Sequence, residues 1–290
     1  MNRSVKLGLV QMSCTGNPEQ NMNKATGLIK EAAGNGARII LLQELFNALY
    51  FCQQVDESNF DLAEQIPGPS TEILGNLARD LEVVIVAPLF EYRAPGLYHN
   101  TAAVLDSDGT YLGKYRKMHI PEDPGFHEKY YFTPGDLGYR VFNTRYAKIG
   151  VLICWDQWYP EAARITATMG AELLVYPTAI GGLSHESDEE MRDFVDAWEV
   201  IQRSHAIANG VFVASVNRTG TEGNIRFWGD SFVAGPFGKI LARAGSGDEI
   251  LYCDIDPGII EKQRRAWPYL RDRRIESYGP ILKRFNTTDE

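Results

Sequence analysis

The chain has 290 residues, 44% of them hydrophobic and 23% charged, a composition sufficient for a substantial buried core. Its 38 acidic residues against 29 basic ones leave a formal charge of −9. That is the opposite of the basic balance by which a protein neutralises phosphates, so nucleic acid is set aside as a partner. No apolar run reaches the ~18 residues of a membrane span. The first residues also turn polar too quickly for a secretory signal.

Cys14, Cys52, Cys154 and Cys253 are scattered without C-x-x-C spacing. Free thiols in a reducing cytoplasm are therefore expected, rather than a disulfide framework. Basic residues gather at Arg264, Arg265, Arg271, Arg273 and Arg274, but Glu261, Asp272 and Glu276 interleave with them. This pattern reads as a solvated or subunit-contacting face.

In chain order, residues 5–12 alternate apolar and small side chains and predict a strand. Asn17-Pro18 supplies an N-cap and a first-turn proline for a helix to about Ala33, closed by Gly34 and Gly36. Residues 37–42 are a continuous apolar strand ending at Gln43-Glu44. Pro69-Ser70 opens a helix through Leu81 with Ser70 as its N-cap, and residues 83–90 form a second buried strand. Residues 101–105 and 111–117 flank Ser107-Asp108-Gly109 and predict a hairpin. A loop rich in proline, glycine and aromatics spans 119–137, and the strand 147–153 follows, ending at Cys154.

The second half repeats this order. A helix begins near Pro160, a strand covers 172–177, a long helix runs from about Glu189 to Asn209, and a strand covers 211–217. Hairpin-like stretches at 227–234 and 240–244 surround Gly235-Pro236-Phe237-Gly238, and 250–255 is the last strand. Strands alternating with helices, with antiparallel hairpins added, predict an α/β fold. Strands such as 39–42 and 173–176 are apolar on both faces, which suits two mixed sheets with helices outside, a four-layer α-β-β-α sandwich. We expect one domain over 1–290, with a core of about 5–258 and a tail from 259 to 290 at subunit contacts.

Three reactive side chains end strands, where α/β sheets gather their sites. Cys154 follows Ile149–Ile153 and precedes Trp155-Asp156-Gln157-Trp158-Tyr159-Pro160-Glu161. Such a strand-to-helix bend exposes a side chain and leaves backbone N–H groups free for an oxyanion. The competing reading, a buried inert thiol, suits the other three cysteines better. Glu44 sits among Leu41, Leu42, Leu45 and Phe46. Buried there, it would have a raised pKa and serve as a general base; otherwise it is an N-cap or a surface acid. Lys117 ends a hairpin strand beside Lys114, Arg116 and His119. An ammonium there would lower the thiol pKa and polarise a carbonyl, whereas most lysines are simply solvated.

These segments resemble the nitrilase, or carbon–nitrogen hydrolase, superfamily. The resemblance rests on 41–44, on Tyr115-Arg116-Lys117-Met118-His119 and on 153–161, and covers roughly residues 5–258, including Asn217-Arg218 and 227–231. It implies the nitrilase-like sandwich and a Glu44–Lys117–Cys154 triad. It implies a fourth functional residue at Glu128, in the loop 125–132, and assembly into homo-oligomers built from dimers. Within the superfamily, 154–160, 124–132 and 176–181 are most similar to the branch that hydrolyses N-carbamoylputrescine. Departures are Gln43, where the family usually has proline, and 182–186 in place of a Ser-Glu-Pro stretch.

The implied chemistry is attack of the Cys154 thiolate on a carbamoyl or amide carbon, Glu44 moving the proton. Lys117 and the Trp155 N–H hold the oxyanion, and Glu128 orients the substrate or Lys117. Each oxyanion donor is worth ~3 kcal/mol of barrier. No cofactor or metal is expected: the five histidines form no His-x-x-x-His pair, and no phosphate loop or G-x-S-x-G elbow is present. The expected partner is a small cationic carbamoyl substrate, products being the amine, ammonia and carbon dioxide. Its distal ammonium calls for a carboxylate, among Asp123, Glu186 and Asp188, and an aromatic wall, among Tyr50, Trp155 and Tyr176. Rival readings are a hydrolase of a β-ureido acid or an ω-amide, and a catalytically silent interaction module of the same fold.

Overall fold

A computed structural model describes residues 4–286. Its strands are β1 (Val5–Gln11), β2 (Ile39–Leu42), β3 (Val84–Ala94), β4 (Leu97–Leu105), β5 (Tyr111–Arg116), β6 (Val141–Asn143), β7 (Lys148–Val151) and β8 (Leu173–Pro177). They continue with β9 (Gly181–Leu183), β10 (Phe212–Val216), β11 (Thr219–Glu222), β12 (Ile225–Trp228), β13 (Phe232–Ala234), β14 (Ile240–Arg243) and β15 (Glu249–Ile255). The helices are α1 (Pro18–Gly34), α2 (Pro69–Leu81), α3 (Glu128–Tyr131), α4 (Pro160–Thr168), α5 (Asp188–Asn209) and α6 (Ile259–Ala266).

Two six-stranded mixed sheets carry the fold, in the orders β15-β1-β2-β3-β4-β5 and β14-β13-β10-β8-β7-β6. Period-two alternation sorts the side chains of the first sheet. Leu7, Leu9, Ile39, Leu41, Val84, Val86, Ala102 and Val104 face the second sheet. Val10, Ile40, Leu42, Ile85, Ala87, Ala103 and Leu105 instead meet Ala25, Ile29, Leu74 and Ala78 of α1 and α2. On the other side α4 and α5 bring Ala162, Ala163, Trp198 and Ala206 against the second sheet. The result is the four-layer α-β-β-α sandwich. Each fully buried Leu, Ile or Val contributes about 1.5–3 kcal/mol.

Local signals act largely as read. Asn17 caps α1, its side chain accepting from the Glu19 and Gln20 N–H groups at 2.9 and 3.2 Å. Two readings are corrected. Ser70 is not the cap of α2: Gly68 holds that position, bridged by the Thr71 hydroxyl, while the Ser70 N–H donates to Glu64. The stretch 227–234 is not one strand of a hairpin. Its first part belongs to β12, in a small sheet ordered β11-β12-β9, and its second part to β13 in the second large sheet. Gly229 and Asp230, both at positive φ, turn the chain between them. The expected tail begins with α6, which buries only Ile260. Residues 287–290 of that tail lie outside the described residues.

What positions the site is strand direction. β2 is parallel to β1 and β3, and β7 to β8 and β10. β5, antiparallel to β4, returns in the direction of β3. The exits of β2, β5, β7 and β8 therefore open toward the same edge of the sandwich.

Candidate active site

Glu44 follows β2, Lys117 follows β5, and Cys154 follows β7 at the start of a 3-10 turn, Cys154–Trp158. Both Cys154 and the residue after Glu44 lie in the left-handed region: φ is 42° at Cys154 and 50° at Leu45. Non-glycine residues held there cost about 1–3 kcal/mol and persist only when their surroundings over-determine them. These surroundings are specific. Asp156 is fully buried; its Oδ2 accepts from the Ile153 N–H at 2.9 Å, pinning the cysteine bend from behind.

Lys117 is 1% exposed and lies between two buried carboxylates. Its Nζ donates to Glu44 Oε1 at 2.8 Å and to Glu128 Oε2 at 2.6 Å. Asn100 of β4 donates to the same Glu44 oxygen at 2.7 Å, and the Tyr50 hydroxyl donates to Glu128 Oε1 at 2.8 Å. Glu44 Oε2 is buried and has no hydrogen-bond partner among the described residues. One ammonium thus serves two acids, and one carboxylate oxygen is left over.

Burial opposes the charge on Lys117, but the Glu128 and Glu44 carboxylates outweigh it and push its pKa well above the usual lysine range. Glu128, also buried, is pushed up to about 7, mainly by desolvation and against the pull of Lys117. Cys154 departs from the expectation that the ammonium would yield a low-pKa thiol. Burial and then the Glu44 charge raise it well above the usual value, and Lys117 offsets this only in part. The resting thiol is therefore protonated and requires a base.

Cys154 and Glu128 reach a cleft of about 580 Å³. Its walls include Phe126, Trp155, Trp158, Phe194 and Trp228, with Ile180 and Leu183. Asp123 and Glu186 line it as well. Among the described lining residues there is no Lys or Arg. Glu186 Oε2 also accepts from the Leu183 N–H at 2.5 Å, which orients the acid within its loop.

Other sequence candidates lie elsewhere. Tyr176 is fully buried inside β8 and stacks on His205 of α5, away from the cleft lining. It is corrected as a wall residue, because only the chain beyond the strand exit, from Ala179 to Gly181, reaches the cleft. Asp188 pairs with Arg226 at 2.8 Å beside a second groove. Tyr50 backs Glu128 rather than lining the cleft. Sequence reasoning missed Asn100, Phe126, Trp158, Phe194 and Trp228. Asn100 had a usable signal in His99-Asn100-Thr101, polar residues in the middle of an otherwise apolar strand; Phe126, Trp158 and Trp228 lay in segments carrying the resemblance but were given no role, and Phe194 had no signal. Among the described residues no group of three His, Cys, Asp or Glu could hold a metal ion, and no helix is long and apolar enough to cross a membrane.

Comparison with known proteins agrees with this geometry. The family model described as "Carbon-nitrogen hydrolase" matches residues 6–265. The N-carbamoylputrescine amidase of Solanum lycopersicum is 46% identical, over 97% of this chain and 96% of that protein. The citrullinase of Francisella tularensis is 42% identical, over 97% and 99%. The crystal structure of a carbon-nitrogen hydrolase from Helicobacter pylori G27 is 46% identical and superposes with a TM-score of 0.95, covering 98% of this chain and 100% of that one. The chain belongs to the carbon–nitrogen hydrolase family and is a hydrolase of C–N bonds other than peptide bonds.

Proposed function

We propose that this enzyme hydrolyses N-carbamoylputrescine to putrescine, ammonia and carbon dioxide, a step of polyamine synthesis, with Cys154 as nucleophile. Glu44 Oε2 takes the thiol proton as sulfur attacks the carbamoyl carbon. Lys117 and the Trp155 N–H hold the oxyanion, each such donor lowering the barrier by about 3 kcal/mol. The tetrahedral adduct collapses as Glu44 returns the proton to the departing nitrogen. Glu44 then deprotonates a water that attacks the S-carbamoyl thioester, the thiol leaves with that proton, and the released carbamic acid breaks its remaining C–N bond to give carbon dioxide and the second nitrogen product. Glu128 keeps Lys117 charged and aimed.

The observation that carries the substrate choice is the charge of the cleft. Apart from Glu128 at the reacting centre, two further carboxylates, Asp123 and Glu186, stand among aromatic rings, with His185 and with no Lys or Arg in the described lining. That environment suits a distal ammonium. A β-ureido acid would leave its carboxylate without a Lys or Arg partner. Citrulline, the substrate that the name of the Francisella relative specifies, carries both charges and would suffer the same lack. The relative from Solanum lycopersicum supports the diamine reading. The test is kcat/KM on N-carbamoylputrescine, citrulline and a β-ureido acid side by side; a preference for either acid overturns the assignment.

The same reading includes a cytoplasmic location and assembly through dimers. Dimer contacts are supported by Ile275, Ile281, Leu282 and Phe285, apolar residues exposed on the C-terminal segment.

A further inference from the structure

We infer that the buried Arg218–Glu222 ion pair is a positioning device that aims both carboxylates flanking Lys117. This rests on the catalytic reading of Glu44 and Glu128 given above. Arg218 lies between β10 and β11, and Glu222 ends β11. Arg218 is fully buried and does not line the cleft, so it has no route to substrate.

The guanidinium is spent on one segment. Arg218 Nη2 donates to the carbonyls of Glu44 at 3.0 Å and Leu45 at 2.8 Å. Nη1 donates to the carbonyl of Ala48 at 2.9 Å and to Glu222 Oε1 at 2.7 Å. The other Glu222 oxygen accepts from the Tyr50 N–H at 2.6 Å. Tyr50 in turn donates its hydroxyl to Glu128. The segment from Glu44 to Tyr50 is therefore clamped at both ends by one ion pair. One end presents the Glu44 carboxylate; the other presents the phenol that fixes Glu128.

Two features argue against a purely stabilising role. A buried ion pair is a poor source of stability, because desolvation cancels much of its attraction and apolar residues of similar volume often do as well. And the contacts converge on Leu45, whose left-handed backbone needs external constraint. A planar fork donating to consecutive carbonyls supplies that constraint, which a lysine cannot reproduce.

Arg218 and Lys117 are the cations facing Glu44; Glu128, Cys154, Tyr50 and Cys52 are the other titratable groups around it. Two variants separate aim from charge. Arg218→Lys keeps the buried charge and loses the fork. Its kcat on N-carbamoylputrescine is expected to fall about a hundredfold, the scale of a misplaced reacting group, with KM and the acid limb of the pH profile unchanged. Arg218→Met combined with Glu222→Gln removes both charges. Its kcat is expected to fall as far as that of Arg218→Lys with KM unchanged, since the carbonyls of Glu44, Leu45 and Ala48 lose the same fork.

Alkylation of Cys154 by iodoacetamide reads the aim of the base without any substrate, and its rate is expected to fall in both variants. Loss of turnover in the unaltered enzyme would thus count against the substrate assignment alone. Wild-type kcat in folded Arg218→Lys, a loss confined to KM, or a wild-type alkylation rate in the folded double variant overturns the inference. If the double variant does not fold, Arg218→Lys decides.

Discussion

The Oδ2 atom of Asp156 accepts the phenolic proton of Tyr115 at 2.7 Å, and this bond ties the Cys154 bend to the strand that delivers Lys117. Tyr115 lies on β5 just before Lys117, and His119 lies just after it. Asp156 Oδ1 accepts from the His119 N–H at 3.0 Å and contacts its Nδ1 at 2.7 Å. The His119 ring stacks on Tyr159 with centroids 3.6 Å apart, which extends the seam to the start of α4. Sulfur and ammonium are thereby held in register by a carboxylate that touches neither.

Tyr115→Phe removes one bond of this seam and leaves the Ile153 N–H bond in place. The expected cost is about 1 kcal/mol of stability, with a larger proportional fall in kcat than in the second-order rate constant for thiol alkylation by a small reagent. Asp156→Asn places an amide N–H₂ against N–H donors on one side, so its cost rises to about 1–3 kcal/mol. Thermal denaturation and steady-state kinetics on both variants check the order. Equal activity in all three proteins would show the seam to be irrelevant to chemistry.

Glu128 carries a pH signature. Its folded-state pKa of about 7 lies above the ordinary 4.5, because burial penalises the charged form. The native state therefore binds more protons than the unfolded chain between these values. The stability contributed by Glu128 is fully present below pH 4.5 and is lost as pH rises through about 7. Melting temperatures of the unaltered protein should accordingly fall relative to Glu128→Gln across that window. Activity runs the other way: the ionised form holds Lys117, so kcat/KM should rise through an acid limb near 7. Glu128→Gln should abolish that limb and leave low, flatter activity. A limb that persists at the same pH in the variant would assign it to another group.

Gly150 of β7 has a packing requirement. A Cβ there would lie 2.3 Å from Thr166 Cγ2 and 3.0 Å from Leu174 Cδ2. Thr166 belongs to α4, so Gly150→Ala would push that helix from the strand that leads to Cys154. We expect a loss of about 1–3 kcal/mol, typical of overpacking, measured by denaturant unfolding with the m-value unchanged.

Much of this site was legible because reactive residues stand at the ends of apolar strands. Glu44, Lys117 and Cys154 stood out against Leu, Ile and Val on one side and polar loops on the other. The same patterns assigned most strands of both sheets, but not the three-residue edge strand β6. What spacing could not convey was which polar residues bridge distant segments. Asp156 reads as part of a cysteine loop until Tyr115 is seen beside it, and Asn217-Arg218 was noticed as a motif without its contact to Glu44. Tyr176 was misplaced for a related reason: it is polar-tipped and near the right strand end, but still inside the pleat, and its side chain goes to α5. The small sheet of β9, β11 and β12 escaped notice because three short strands from separate parts of the chain carry no shared periodicity.

Substrate charge can be tested at Glu186 without dismantling its loop. Gln keeps a carbonyl oxygen for the Leu183 N–H and removes only the negative charge. If the distal ammonium is held there, Glu186→Gln should raise KM for N-carbamoylputrescine about tenfold, equivalent to ~1.4 kcal/mol, with kcat retained. Asp123→Asn provides the comparison on the loop before α3, where the carboxylate is exposed and worth less. A neutral substrate that lacks only the distal ammonium, N-butylurea, should show no such dependence in either variant. If N-butylurea loses as much as N-carbamoylputrescine does, the carboxylate shapes the loop rather than binding charge; if only Asp123→Asn discriminates, the ammonium lies on that side of the cleft.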